Sequence, residues 1–178
     1  MSTTQYSQLN SNLYHAALTG DIELARQSIA QGADVHYREL NRSVLEAAVM
    51  GDNIEVAEYL LQHGADPNMK STDGLTPLMQ ANSDNMVKLL DQYGADPKIC
   101  DENGNTAFMY FAVYDIRNAI KAWLELGFPI ARRKMKQLIN QLLMKGRFEM
   151  ISLLTGYQFK SENTIVRIAE FKAARYAV

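Results

Sequence analysis

The chain has 178 residues, 47% apolar and 21% charged, too apolar for a disordered segment and long enough to bury a core. Its apolar runs are short, as in Ala47-Ala48-Val49-Met50, so none approaches the roughly 20 residues of a membrane-spanning helix. The net charge is −2, but residues 1–94 hold 5 Lys/Arg against 12 Asp/Glu, while residues 95–178 hold 13 against 8.

In chain order, a polar stretch from Gln5 to Asn12 reads as an N-terminal cap. A helix follows through Leu13-Tyr14-His15-Ala16-Ala17 and stops at Gly20. Ile22, Ala25 and Ile29 then mark a second helix, closed by Gly32-Ala33-Asp34. The pattern returns as Val44-Leu45-Glu46-Ala47-Ala48 with Gly51, then Ile54, Ala57, Leu60 and Leu61, then Gly64-Ala65-Asp66. Gly20 and Gly51 both stand where a helix end favours a positive φ. Asp73-Gly74 is a tight-turn dipeptide at the tip of a hairpin finger. Thr76-Pro77-Leu78-Met79-Gln80-Ala81 opens a third unit, with a hydroxyl to cap the helix and a proline in its first turn. The turn Asn82-Ser83-Asp84-Asn85 has lost its glycine, and the unit ends at Gly94-Ala95-Asp96. Asn103-Gly104 is another finger tip before Thr106-Ala107-Phe108-Met109-Tyr110-Phe111-Ala112, and Gly127-Phe128-Pro129 closes the fourth unit. The basic stretch Ala131-Arg132-Arg133-Lys134-Met135-Lys136 reads as a finger. A degenerate fifth unit runs Ile139-Asn140-Gln141-Leu142-Leu143, Gly146, then Phe148 to Leu154, and Ser161 to Ala177 reads as a final capping helix.

This punctuation resembles the ankyrin repeat, whose period is about 33 residues and whose motif is Thr-Pro-Leu-His-x-Ala. The likeness covers roughly residues 11–156. It implies an all-α solenoid of stacked helix-turn-helix pairs with short β-hairpin fingers. The expected organisation is a small standalone domain over 1–178, with repeats at 11–41, 42–73, 74–103, 104–135 and 136–157 and a capping helix at 161–177. No repeat keeps the motif histidine. Tyr14, Leu45, Met79, Met109 and Asn140 are read in its place, so the turn hydrogen bonds must come from other groups. The third repeat is short, and a kink in the stack is expected there.

Catalytic chemistry finds no foothold. His15, His36 and His63 occupy different places in their repeats, without metal-ligand spacing. Lone Cys100 cannot form an intramolecular disulfide, and its neighbours Asp101 and Glu102 work against an activated thiolate. Asp34, Asp66 and Asp96 recur because an aspartate there can accept backbone N–H bonds. No catalytic, cofactor or metal residues are assigned. The first eight residues lack the basic and apolar regions of a secretory leader, so a cytoplasmic location is expected.

The resemblance implies a concave binding face built from finger tips and inner helices. By position this face takes Leu18, Val49, Met50, Tyr110, Val113 and Tyr114 from the helices. The fingers add Tyr37, Arg38, Lys70, Leu75, Glu102 and Asn103, with Arg132, Arg133 and Lys134 from the basic stretch. The expected function is non-catalytic binding of another protein by a monomer. A bacterial effector or immunity-type inhibitor covering a toxin or host protein is the alternative, and an enzyme the third. The basic stretch is read first as solvated, then as a contact for an acidic protein, and last as a nucleic-acid footprint.

Overall fold

The computed structural model describes residues 3–128, 132–147, 149–151 and 154. Two compact units divide at Ile130/Ala131. In the first, α1 (Thr3–Thr19) pairs with α2 (Ile22–Ala30), and α3 (Val44–Met50) with α4 (Ile54–Gln62). The next pairs are α5 (Pro77–Gln80) with α6 (Asp84–Gln92) and α7 (Ala107–Val113) with α8 (Arg117–Glu125). Successive pairs stack: α1, α3, α5 and α7 form an inner row, and α2, α4, α6 and α8 an outer row. Between α2 and α3, β1 (Arg38–Glu39) and β2 (Arg42–Ser43) pair antiparallel, Arg38 opposite Ser43.

Small residues let the helices approach. Ala16, Ala17, Ala47 and Ala48 are fully buried, and Leu13, Leu45, Leu60, Leu78, Met86 and Leu90 fill the space between rows. Each buried leucine contributes about 1.5–3 kcal/mol from apolar area removed from water. The fourth pair is aromatic: Phe108, Phe111 and Phe128 surround Trp123 with ring centroids 5.4, 6.0 and 4.8 Å away.

The three Gly-Ala-Asp turns are built alike. Gly32, Gly64 and Gly94 have φ of 95°, 91° and 83°, a conformation that favours glycine. Two residues past each aspartate, a backbone N–H returns to its carboxylate: His36 to Asp34 (2.8 Å), Asn68 to Asp66 (2.8 Å) and Lys98 to Asp96 (2.9 Å). Asn68 in the second finger accepts from the Asp96 N–H at 2.7 Å. In the first repeat, Asn10 does the same for Asp34 at 2.8 Å. The N-terminal polar stretch is therefore helical, and one amide of α1 substitutes for a preceding finger.

The structure corrects several local expectations. Gly20 has φ +78°, but Gly51 is at −78° and Asp52, one residue on, takes the left-handed place at +54°. Asp52 directly precedes the N-cap Asn53, the place that Gly20 holds before Asp21, and aspartate tolerates that conformation better than most side chains. Thr76 sits at the N-cap of α5, yet its hydroxyl makes no cap bond, because the Met79 N–H goes to the Thr76 carbonyl at 3.0 Å. The residue in the motif-histidine place of the second repeat is Glu46, not Leu45, since Ser43 is the N-cap three residues earlier. Glu46 is fully buried. It accepts from the Ser43 N–H (2.8 Å) and from Gln80 Nε2 of the next repeat (2.7 Å). A carboxylate thus supplies the turn bonds that the absent histidine would.

The third repeat is short because α5 is a single turn. From N-cap Thr76 to N-cap Ser83 it runs three residues fewer than Ser43 to Asn53 or Thr106 to Ile116. In the second unit, α9 (Arg132–Met144) overturns the finger expected at 131–136. The stretch holds no turn residue, and Met135, Leu138 and Leu142 fall on one buried helical stripe. Gly146, at φ +69°, follows the helix end. The expected helix 161–177 lies outside the described residues.

Candidate binding surface

Large apolar side chains are exposed at the C-terminal ends of three inner helices. Leu18 ends α1 at 44% exposure, Met50 ends α3 at 39%, and Tyr114 follows α7 at 62%. Val113 is half-buried, while Val49, expected on this face, is fully buried. Val49 lies one turn beyond buried Leu45, and Met50 is rotated some 100° further around the helix. The shortened α5 leaves the third repeat without a side chain at this place, so the row is interrupted between Met50 and Tyr114.

Adjacent turns are laced together. Asn53 Nδ2 donates to the carbonyls of Ala17 (2.7 Å) and Leu18 (3.1 Å), and Ser83 Oγ donates to Asp52 Oδ1 (2.6 Å). A Cβ at Gly51 would lie 3.1 Å from the Leu18 carbonyl oxygen and 2.5 Å from the Asn53 amide, which explains a glycine there despite its ordinary φ.

Tyr110 braces the surface more than it forms it. Half-buried, it donates from Oη to Asp101 Oδ2 at 2.7 Å, and its ring stacks on Tyr114 at 6.1 Å. Burial and the bond to Asp101 push its phenol up to about 12. Burial would raise the Asp101 carboxyl, but hydrogen bonds from Tyr110, Asn105 and Asn103 outweigh it and hold the group below its ordinary value.

Two expected finger residues are braces as well. Arg38 Nη2 donates to the Lys70 carbonyl, and Lys70 Nζ donates to the Cys100 carbonyl at 2.8 Å. Each cation reaches from its own finger to the next. Their side chains remain exposed, as are Glu102 and Asn103, whereas Tyr37 and Leu75 are half-buried. Arg132, Arg133 and Lys134 lie on α9 of the second unit, not on a finger.

Leu40 was not anticipated. It tips the first finger at 87% exposure, with φ +48° beside Asn41 at +68°. A two-residue turn of this hand usually takes Asn or Gly first, so leucine gives no turn signal in the sequence.

His15, His36 and His63 are all exposed, and His63 Nδ1 lies 2.7 Å from the Tyr59 carbonyl. Among the described residues, no three His, Cys, Asp or Glu side chains are placed to hold a metal ion, and no helix is long and apolar enough to cross a membrane.

Known proteins share the repeat. A family model described as ankyrin repeats matches residues 13–99 in three copies. An ankyrin repeat protein of Acanthamoeba polyphaga mimivirus is 37% identical over 71 residues, 39% of this chain and 10% of that protein. One of Rickettsia bellii is 36% identical over 63 residues, 34% of this chain and 8% of that protein. Human transient receptor potential cation channel subfamily A member 1 is 30% identical over 122 residues, 65% of this chain and 11% of the channel. The chain spans about a tenth of the length of these relatives. The fourth helix pair, past the matched residues, repeats the same architecture. The turns at Gly32, Gly64 and Gly94 are thus the punctuation of ankyrin repeats, and residues 13–99 of the chain belong to that family.

Proposed function

We propose that this chain is a non-catalytic, cytoplasmic module that, as a monomer, docks one partner protein on its inner face, ankyrin repeats being generally protein–protein interaction modules. The observation that carries this reading is the repeated exposure of a large apolar side chain at the C-terminal end of an inner helix: Leu18, Met50 and Tyr114. Core-facing positions nearby are closed to solvent, whereas these side chains keep 39–62% of their surface exposed. Apolar and aromatic groups set in a polar surface are the usual anchors of an interface. The stacked scaffold presents them already ordered, which limits the entropy lost on docking.

The test is affinity capture from the native host, comparing the wild-type chain with Leu18→Ser/Met50→Ser/Tyr114→Ala. An anchor cluster of this kind costs 2 kcal/mol or more on truncation, about thirtyfold in affinity. The variant should lose the partner while keeping its circular dichroism and melting temperature. A variant that retains full affinity places the interface elsewhere.

A further inference from the structure

We infer that the inner edge of the first two repeats takes a cationic protein segment, one that sets apolar anchors among lysines or arginines. This rests on the inner-face reading above and names the chemistry of its partner.

The edge is contiguous. The Asn53 amide bonds to the Leu18 carbonyl at 3.1 Å, and Gly51 lies against that same carbonyl. Leu18 and Met50 therefore emerge from two turns that touch. These turns carry Asp21 and Asp52, and the first turns of α2 and α4 that follow them add Glu23 and Glu55, all exposed. Asp21 accepts one bond from the Leu24 N–H, and Asp52 one from Ser83 Oγ. Among the described residues no cation pairs with any of the four. Nearby basic groups are engaged elsewhere: Arg26 lies 4.7 Å over the Tyr59 ring, and Lys88 pairs with Glu125 at 2.9 Å. The fourth repeat differs, because Asp115 beside Tyr114 is paired with Arg117 at 3.0 Å. The uncompensated negative charge thus surrounds Leu18 and Met50 and not Tyr114.

Four carboxylates beside an apolar pair attract cations, and they repel the polyanionic surfaces of nucleic acid and acidic lipid. A segment with only apolar anchors would leave the rim charges without partners. One with lysine or arginine beside its anchors satisfies both features of the edge.

The experiment titrates the full chain into a labelled synthetic helix of leucine and lysine, and into a twin with glutamate for every lysine. The lysine peptide should bind at least about tenfold tighter, and more weakly as salt rises. Asp21→Asn/Asp52→Asn should weaken it by about fivefold. Asparagine keeps the helix cap at 21 and tolerates the left-handed backbone at 52, so this variant folds. Leu18→Ser/Met50→Ser should weaken binding by about tenfold or more. Glu58→Gln/Asp91→Asn removes equal charge from the outer helices and should change affinity by less than about twofold. Equal binding of the glutamate twin overturns the inference, as does an outer-helix effect matching that at the turns. If the serine variant loses the native partner while the asparagine variant keeps it, the inner face stands and only the cationic class falls.

Discussion

The first and third fingers do the same job with opposite means. In the third, Asp101 Oδ1 accepts from the N–H groups of Asn103 (2.9 Å) and Asn105 (2.7 Å). Its Oδ2 accepts from Asn105 Nδ2 (3.0 Å) and Tyr110 Oη (2.7 Å). Gly104 takes the positive φ, at +77°. One buried carboxylate organises the loop and ties it to α7, and a single bridge between Cys100 and Thr106 is all the ladder it has. The first finger has a two-residue strand pair and no such anchor. Two side-chain-bearing residues, Leu40 and Asn41, sit in left-handed backbone at its tip. The third finger is held by its polar network, whereas the first is held by its ladder and keeps its strain. Rigidity and strain are therefore separable properties of the fingers, and substitutions can address each.

The largest effect belongs to the carboxylate. Asp101→Ala leaves a phenol and several N–H groups without their acceptor, and should cost about 3 kcal/mol in a urea melt. A loss under about 1 kcal/mol would mean that the loop is set by Gly104 and the backbone alone. The acid limb of stability sharpens the point. Because the folded carboxyl lies below its ordinary 3.8, its contribution is present above that value and fades as pH falls through the lower, folded one. Asp101→Asn should flatten that part of the pH dependence.

A smaller effect belongs to Tyr110. Its phenol rises from 10.0 to about 12 through burial and the bond to Asp101, so its stabilisation is complete below 10.0 and is lost toward 12. Tyr110→Phe should cost about 1.5 kcal/mol at neutral pH, the worth of a hydrogen bond to a charged acceptor. It should also remove the phenol's share of the alkaline loss, read by melts between neutrality and the high-pH limb. An unchanged alkaline limb would assign that loss to other groups.

Local backbone requirements were legible in the sequence. Gly-Ala-Asp turns announce a positive φ and a carboxylate that folds back on its own N–H groups, and the structure holds those bonds at Asp34, Asp66 and Asp96. The inner-face positions of Leu18, Met50 and Tyr114 followed from repeat phase. What was not legible depends on neighbours. Val49 and Met50 are equally apolar on paper, and only helix rotation separates the buried one from the exposed one. Arg38 and Lys70 look like free binding cations until the next finger supplies a carbonyl. Repeat phase alone puts a finger at 131–136, whereas the helix-forming composition and the stripe Met135-Leu138-Leu142 argue for α9. Leu40 carries no turn signal at all, because its conformation is imposed by the strands on either side.

Leu40 provides the smallest and most discriminating change. Left-handed backbone costs an ordinary side chain roughly 1–2 kcal/mol, and asparagine escapes much of that. At 87% exposure the leucine has little burial to lose. Leu40→Asn should therefore raise stability by about 0.5–1 kcal/mol, read as a higher urea midpoint with unchanged slope. Asp101, in the corresponding finger, admits no such gain, because every substitution there removes accepted hydrogen bonds. Strained, exposed residues cluster at sites of contact. If the first finger also reaches the partner, the stabilised variant will bind it more weakly. If affinity is unchanged, the strain at Leu40 serves no contact, and docking is confined to the inner helices.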